Sequence, residues 1–521
     1  MRYLFIFITF IIFFFSCSNY EVIDTTKPSA YINFPYPGDL VSDTLIISAI
    51  GSDNVGIDFM ELWINQEKTD LKDFDYPFEF ILDTRSLLDI EEGDSINLAV
   101  KAYDTSENES SLSDPPVKVY LDNSNPTKIV LYPIIDDDGN LEFRWEKSPD
   151  LDFFAYVIMQ KTNNNFISAL EIIEPITDAD STNIIMEYPS YSEKQFGIQV
   201  LDKGLNSTLS NFVKPIAFEF TEISDGFFKF GENDNPATVS DPFELMVSEV
   251  SNSQYISYLN VAKELNQIDI NNIGPWVLDN DGKILYDLEN GFIKWDGTTF
   301  DIFVLDDPPI FVYDYPVTYV SYYGAQHFAD FFNFYLPNEF QWEKAAIGEH
   351  LGIGNQLGNY DYPWGGEVID CDEDGIPEPC EYPFEPNNAN YYQNENYQYT
   401  NYYGLVEYEE EEPYEPPNEN LNISYDDPGL APVSNTGMSS INPYFNEFWF
   451  FDKCPNQCNG LNHMAGNVWE WVVHEGGYSD SQMSRGGSWR SPKQDLKVWS
   501  KKYLNAHYTG DNVGFRCARD E

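Results

Sequence analysis

Positive charge is scarce in this chain. In 521 residues, 28 lysines and arginines face 87 aspartates and glutamates, for a formal net charge of −59. A surface so acidic repels phosphate backbones and anionic lipid head groups, which excludes nucleic acid as a partner. The bland consequence is a soluble surface suited to a saline or calcium-bearing medium. Cysteine and histidine are also few, six and five, so thiol or metal chemistry has few donors to draw on. No phosphate-cradling glycine loop, dinucleotide fingerprint or Ser-His-Asp spacing emerges. After the first 17 residues, no apolar run reaches the about 20 residues that span a bilayer. Aromatic residues, by contrast, make up 16% and hydrophobic residues 42%, which argues against global disorder. One core rarely grows past about 250–300 residues, so several domains are expected.

The N-terminus has one basic residue, Arg2, then a short apolar run that ends in Ser16-Cys17. It reads as a secretion signal, and its ending resembles a loose bacterial lipobox. Residues 1–17 are expected to be a lipoprotein signal peptide with Cys17 as the lipidation site, and 18–27 a linker. The alternative is an ordinary signal peptide cleaved elsewhere. Acyl chains on Cys17 would hold the mature protein at the cell envelope, on the outer membrane or cell surface, and leave the rest in water. In an oxidising compartment, the close pairs Cys371 with Cys380 and Cys454 with Cys458 are disulfide candidates. Cys517 is left as a buried small hydrophobe. A zinc site at Cys454, Cys458 and His463 lacks a fourth ligand.

Residues 28–122 hold short β-branched and aromatic runs: Tyr31–Phe34, Leu45–Ile50, Phe59–Ile64, Phe78–Leu82 and Ile96–Tyr103. Pro, Gly, Asp and Asn separate them, which predicts a β-sandwich. Its turns, Asp53 to Gly56 and Ala102 to Asn108, resemble those of bacterial immunoglobulin-like modules. Residues 124–216 repeat the pattern. Leu141 to Trp145, Phe154 to Ile158 and Gly197 to Ser207 resemble a fibronectin type III module. Such modules are usually spacers, here between an anchor and a C-terminal domain.

The densest aromatic stretch lies near the C-terminus: Gly460 to Trp471 (GLNHMAGNVWEW), Arg485 to Trp489 (RGGSW) and Gly514 to Arg516 (GFR). Glycines there permit turns that other residues resist, and the tryptophans supply large buried areas. These segments resemble the signature of the formylglycine-generating, or sulfatase-modifying factor, family. The resemblance spans 226–521 and includes Asp225 to Gly231, Glu249 to Tyr255, Pro316 to Ser321, Leu336 to Ala346 and Tyr362 to Gly365. It implies a loop-rich α+β fold related to C-type lectins, with acidic insertions near 368–383 and 405–420. The expected whole is multidomain: two all-β sandwiches, then that domain.

Two calcium readings follow. Asp370 to Glu381 places Asp370, Asp372 and Asp374 at loop positions 1, 3 and 5, a glycine at 6, the Ile376 carbonyl at 7, Glu378 at 9 and Glu381 at 12, a wrap for one calcium ion. Cys371 and Cys380 would clip it. The family resemblance further implies Asn467 and Glu470 as structural calcium ligands; the other reading of Asn467 is a turn residue in a left-handed conformation. Copper is not expected. The family places its copper(I) cysteine pair between "RGGS" and "GFR", and here residues 489–513 contain no cysteine. Thiolates are what that soft ion needs. Iron is not expected either, because His327, His350, His463, His474 and His507 are widely spaced, with His327 on a predicted helix Tyr323–Phe334. The expected function is therefore an exported, lipid-anchored bacterial surface protein whose last domain is a binding or structural module for a protein, peptide or glycan. It would touch the membrane through its lipid alone. The alternative is a formylglycine-generating or non-haem-iron oxidoreductase of the same family.

Overall fold

A computed structural model describes residues 24–87, 93–162, 166–170, 172–188, 194–270, 274–303, 310–347, 461–474 and 481–520, with short backbone pieces between 363 and 406. The described chain is β-rich and multidomain, with few helices. No helix among the described residues is long and apolar enough to cross a membrane.

Among the described residues the first unit has eight strands: β1 Ser29–Phe34, β2 Leu40–Val41, β3 Thr44–Ser52, β4 Ile57–Ile64, β5 Glu67–Asp73, β6 Phe78–Asp83, β7 Ser95–Asp104 and β8 Val117–Leu121. They form one sheet in the order β1-β3-β6 and another in the order β2-β8-β7-β4-β5. Alternation drives the pairing: on β6 and β8 every second residue is buried, as a half-covered sheet requires. Ile47, Phe80, Met60, Leu62, Leu98 and Val119 fill the shared core.

The second unit follows the same plan. Its strands are β9 Ile135–Asp137, β10 Asn140–Arg144, β11 Phe153–Lys161, β12 Ile167–Ala169, β13 Asn183–Glu187, β14 Gln195–Asp202, β15 Ser207–Leu209 and β16 Ile216–Ala217. Sheets β13-β10-β9-β16 and β12-β11-β14-β15 enclose Leu141, Phe143, Trp145, Tyr156, Phe196 and Ile198. That core also takes in Val261 from the third unit, and Lys128 pairs with Glu264 at 2.7 Å.

Among the described residues, three α-helices mark the C-terminal unit. α1, Asn252–Glu264, starts at a capping box between Ser251 and Gln254. α2, Tyr322–Phe331, is capped by Ser321, whose Oγ accepts from Gly324 N. It stops three residues short of the predicted Phe334, because Asn333 turns left-handed at φ 59° and ends the helical hydrogen bonding. α3, Glu339–Ile347, is entered through Asn338, whose side-chain oxygen accepts from Phe340 N and Gln341 N. A four-stranded sheet places Trp469–Val472 between Ser481–Arg485 and Val513–Gly514, with Lys501–Asn505 outside. All four residues of Trp469–Val472 are buried. The strand therefore carries a charged residue, Glu470, into the interior.

Candidate functional site

The signature segments meet around that strand. Trp471 Nε1 donates to the Val320 carbonyl at 3.1 Å, which ties the tryptophan segment to the loop before α2. Gly466 N donates to Gly486 O at 2.8 Å, joining the two glycine turns. Glycine is required at 487: φ is 76°, and a Cβ would stand 2.6 Å from Leu496 and 2.9 Å from the Asp495 carbonyl.

Glu470 sits at the centre, and Arg516 of the GFR segment grips it. Arg516 Nε donates to Glu470 Oε2 at 2.8 Å and Nη2 to Oε1 at 2.7 Å. The remaining guanidinium hydrogens reach the carbonyls of Met246, Val247 and Asn462, so all five donors of the fork are used. Trp342 Nε1 of α3 adds a third bond to Glu470, at 2.7 Å. A second cluster is built from Glu339 and Glu343 of α3. Arg485 Nη1 donates to Glu343 at 2.8 Å and Nη2 to Glu339 at 3.2 Å, and His474 Nδ1 lies 2.8 Å from Glu339 Oε1. Burial pushes the Glu343 carboxyl up, against the pull of Arg485.

Glu249 borders the first cluster. Asn467 Nδ2 donates to its Oε1 at 3.0 Å, while Oε2 is buried without a hydrogen bond. Burial pushes its carboxyl up to about 8; the Glu470 charge adds to that and Arg516 opposes it. Both arginines of the signature are thus sealed against carboxylates. Buried charge pairs of this kind position elements; every Arg516 donor is engaged, while Arg485 Nε is buried without a hydrogen-bond partner.

The sequence-predicted residues divide accordingly. Asn467 is buried and left-handed, φ 56°, and its amide is turned toward Glu249. Glu470 has both oxygens engaged by Arg516 and Trp342, so a calcium ion there would have to displace these donors. Cys517 is buried and unpaired, and burial holds its thiol well above the usual range. Cys17, the loop residues Asp370, Asp372, Asp374, Ile376 and Glu381, and the pairs Cys371, Cys380 and Cys454, Cys458 lie outside the described residues. Of that loop only the Glu378–Pro379 backbone is described, Glu378 paired with Ile369 and Pro379 with Val368. The described histidines lie apart: His327 Nδ1 is 2.7 Å from Tyr258 OH, His463 is buried with a left-handed backbone at φ 55°, His474 meets Glu339, and His507 faces the Tyr323 ring. Among the described residues no histidine or cysteine joins a group with metal-ligand spacing. A cleft of about 320 Å³ opens between Ile216 and the α1 entry, lined by Glu219, Ser248, Ser251, Gln254 and Asp314.

The sequence reading passed over the buried ion network. A signal was there: a lone charged residue inside each apolar signature, Glu470 between two tryptophans and Arg516 after Phe515.

Residues 216–521 match the family described as the Sulfatase-modifying factor enzyme 1-like domain. The chain is 24% identical over 212 residues to a Bos taurus protein named "Inactive C-alpha-formylglycine-generating enzyme 2", covering 39% of this chain and 50% of that one. It is 23% identical over 224 residues to "Serine/threonine-protein kinase Pkn1" of Chlamydia trachomatis, covering 40% of this chain and 24% of that one. It therefore spans about half the length, or less, of these curated relatives. Among solved structures, CarF is similar with TM-score 0.33 at 17% identity, covering 58% of this chain and 98% of CarF.

Proposed function

Because the chain belongs to the sulfatase-modifying factor family, we propose that its C-terminal domain is a non-catalytic member that acts as a binding or structural module. The observation that carries this reading is chemical. Residues 489–513, where the family resemblance puts the copper pair, contain no cysteine. Cys517 is the nearest thiol in sequence, 0% exposed and held protonated by burial. Copper(I) needs thiolates. The word "inactive" in the bovine relative's name is said of that protein and is in keeping with this reading.

In the same proposal, residues 28–122 and 124–216 are immunoglobulin-like and fibronectin type III-like spacers of an exported bacterial lipoprotein anchored through Cys17. Their paired sheets around separate cores support it. The partner is a protein, peptide or glycan at the cell surface, and calcium in the 370–381 loop has a structural role. A Cys17→Ser variant is expected to lose metabolic palmitate labelling; a wild type that never takes the label removes the anchor.

The decisive test is an aldehyde-reactive probe applied to a sulfatase-type cysteine peptide after incubation with copper-loaded protein in air. No aldehyde is expected. Aldehyde that disappears in a Cys517→Ser variant would restore the oxidase reading.

A further inference from the structure

Two places in the described chain gather three carboxylates, and they are built alike. Ligand oxygens of Asp24, Asp53 and Asp104 lie within 4.8 Å of one another, and those of Asp122, Asp152 and Asp202 do the same. In each group one aspartate precedes a sandwich, and one ends a long strand, Asp104 on β7 and Asp202 on β14. In each, an asparagine follows in the turn after that strand. Asn108 Nδ2 donates to the Asp24 carbonyl at 3.0 Å and to Asp104 Oδ2 at 2.8 Å. Asn206 Nδ2 donates to the Asp122 carbonyl at 2.8 Å and to Asp202 Oδ2 at 3.0 Å. The bond to the leading aspartate closes 84 residues in both cases. The residue before each asparagine is left-handed, Glu107 at φ 67° and Leu205 at φ 65°. The second group straddles the seam: Asp122 follows the last strand of the first sandwich, and Asp152 and Asp202 belong to the second.

Carboxylates this close repel one another. Among the described residues no lysine or arginine makes an ion pair with Asp24, Asp53, Asp104, Asp152 or Asp202. Independently of the carboxylates, Asn206 is only 4% exposed and its Oδ1 has no hydrogen-bond partner. Its amide nitrogen donates to the Asp122 main-chain carbonyl and to Asp202 Oδ2, which sets this side chain against the group. In the first group, Asp24 Oδ2 and Asp53 Oδ1 are sealed from solvent without a donor. Buried acceptors left unpaired are costly and call for an explanation such as an ion.

We infer that each aspartate group is a calcium site, and that the second one fastens the first sandwich to the second. The donors are all hard oxygens. Calcium takes them at about 2.3–2.6 Å, so oxygens on opposite sides of one ion stand nearly 5 Å apart. Oxygens that all lie within 4.8 Å of one another can therefore reach one such ion. Magnesium demands a tighter octahedron at about 2.0–2.1 Å, and zinc favours nitrogen and sulfur. These sites are separate from the 370–381 loop, and they do not depend on the binding-module reading of the C-terminal domain.

The test uses the full chain and calcium alone. Equilibrium dialysis with radioactive calcium should show that Asp202→Asn and Asp104→Asn each lose one bound ion relative to wild type. Asp370→Ala with Asp374→Ala should leave both of those ions in place. Limited proteolysis reads the seam directly: calcium should slow cleavage in residues 122–130 of the wild type and have no such effect in Asp152→Asn. That variant leaves the Asp202 and Asn206 hydrogen bonds intact, so its fold, checked by circular dichroism, is expected to survive. A folded Asp152→Asn chain that keeps both the ion count and the calcium protection overturns the inference, as does a wild type whose cleavage ignores calcium.

Discussion

Arg516→Leu is expected to destabilise the C-terminal domain by about 3–5 kcal/mol, the scale on which one partner of a buried ion pair is lost. Typical domains are stable by about 5–15 kcal/mol, so the loss is a large fraction of the whole. The reason lies in what the substitution leaves behind. Glu470 would remain a buried carboxylate with only Trp342 Nε1 as donor, beside Glu249. The carbonyls of Met246, Val247 and Asn462 would lose donors that hold three chain segments together. Leucine repairs none of this. Arg516→Lys keeps the charge without the planar fork and should fall between leucine and wild type. Arg519 provides the control. Its pair with Glu244 is at the surface, the arginine side chain 42% exposed, and Arg519→Leu should cost within about 1 kcal/mol. Urea unfolding of the three variants checks the order. An Arg516→Leu loss no greater than that of Arg519→Leu would sink the argument.

The same contrast explains what could be read from the sequence. Alternation predicted Phe78–Leu82 and Ile96–Tyr103, and the strands run Phe78–Asp83 and Ser95–Asp104. It missed β5, Glu67–Asp73, because that edge strand is polar and carries Leu71 as its one aliphatic residue; its place is fixed by pairing with β4. It also passed over β8, although Val117, Val119 and Leu121 alternate cleanly inward. The family signatures were legible in order, since motif spacing is a property of the chain. Their physical roles were not, because Arg485 and Glu343 are 142 residues apart and nothing local announces the pairing. The aspartate groups were half legible. Asp104 with Asn108 and Asp202 with Asn206 share a spacing in the sequence, but the leading Asp24 and Asp122 acquire meaning only when the sandwich brings the chain back to them.

Glu249 makes a second large effect measurable as a function of pH. Its carboxyl titrates at about 8 in the folded chain, raised first by burial and then by the Glu470 charge, against about 4.3 in an unfolded one. Between those values the native state holds a proton that the unfolded state has released. Native stability is therefore fully present below the unfolded value and lost as pH rises toward 8, at about 1.4 kcal/mol per pH unit. This slope is opposite to the one that ion-paired surface carboxylates give on acidification. Glu249→Gln removes the titration and keeps its shape. The glutamine oxygen can accept from Asn467 as Oε1 does now, and its amide hydrogens stand where the protonated carboxyl already lacks a partner. The variant should match wild type near pH 5 and exceed its stability by several kcal/mol near pH 8. Thermal or urea unfolding at the two pH values decides it. If wild type and Glu249→Gln lose stability in parallel between pH 5 and pH 8, the proton is elsewhere, and Glu249 is ionised beside Arg516 throughout.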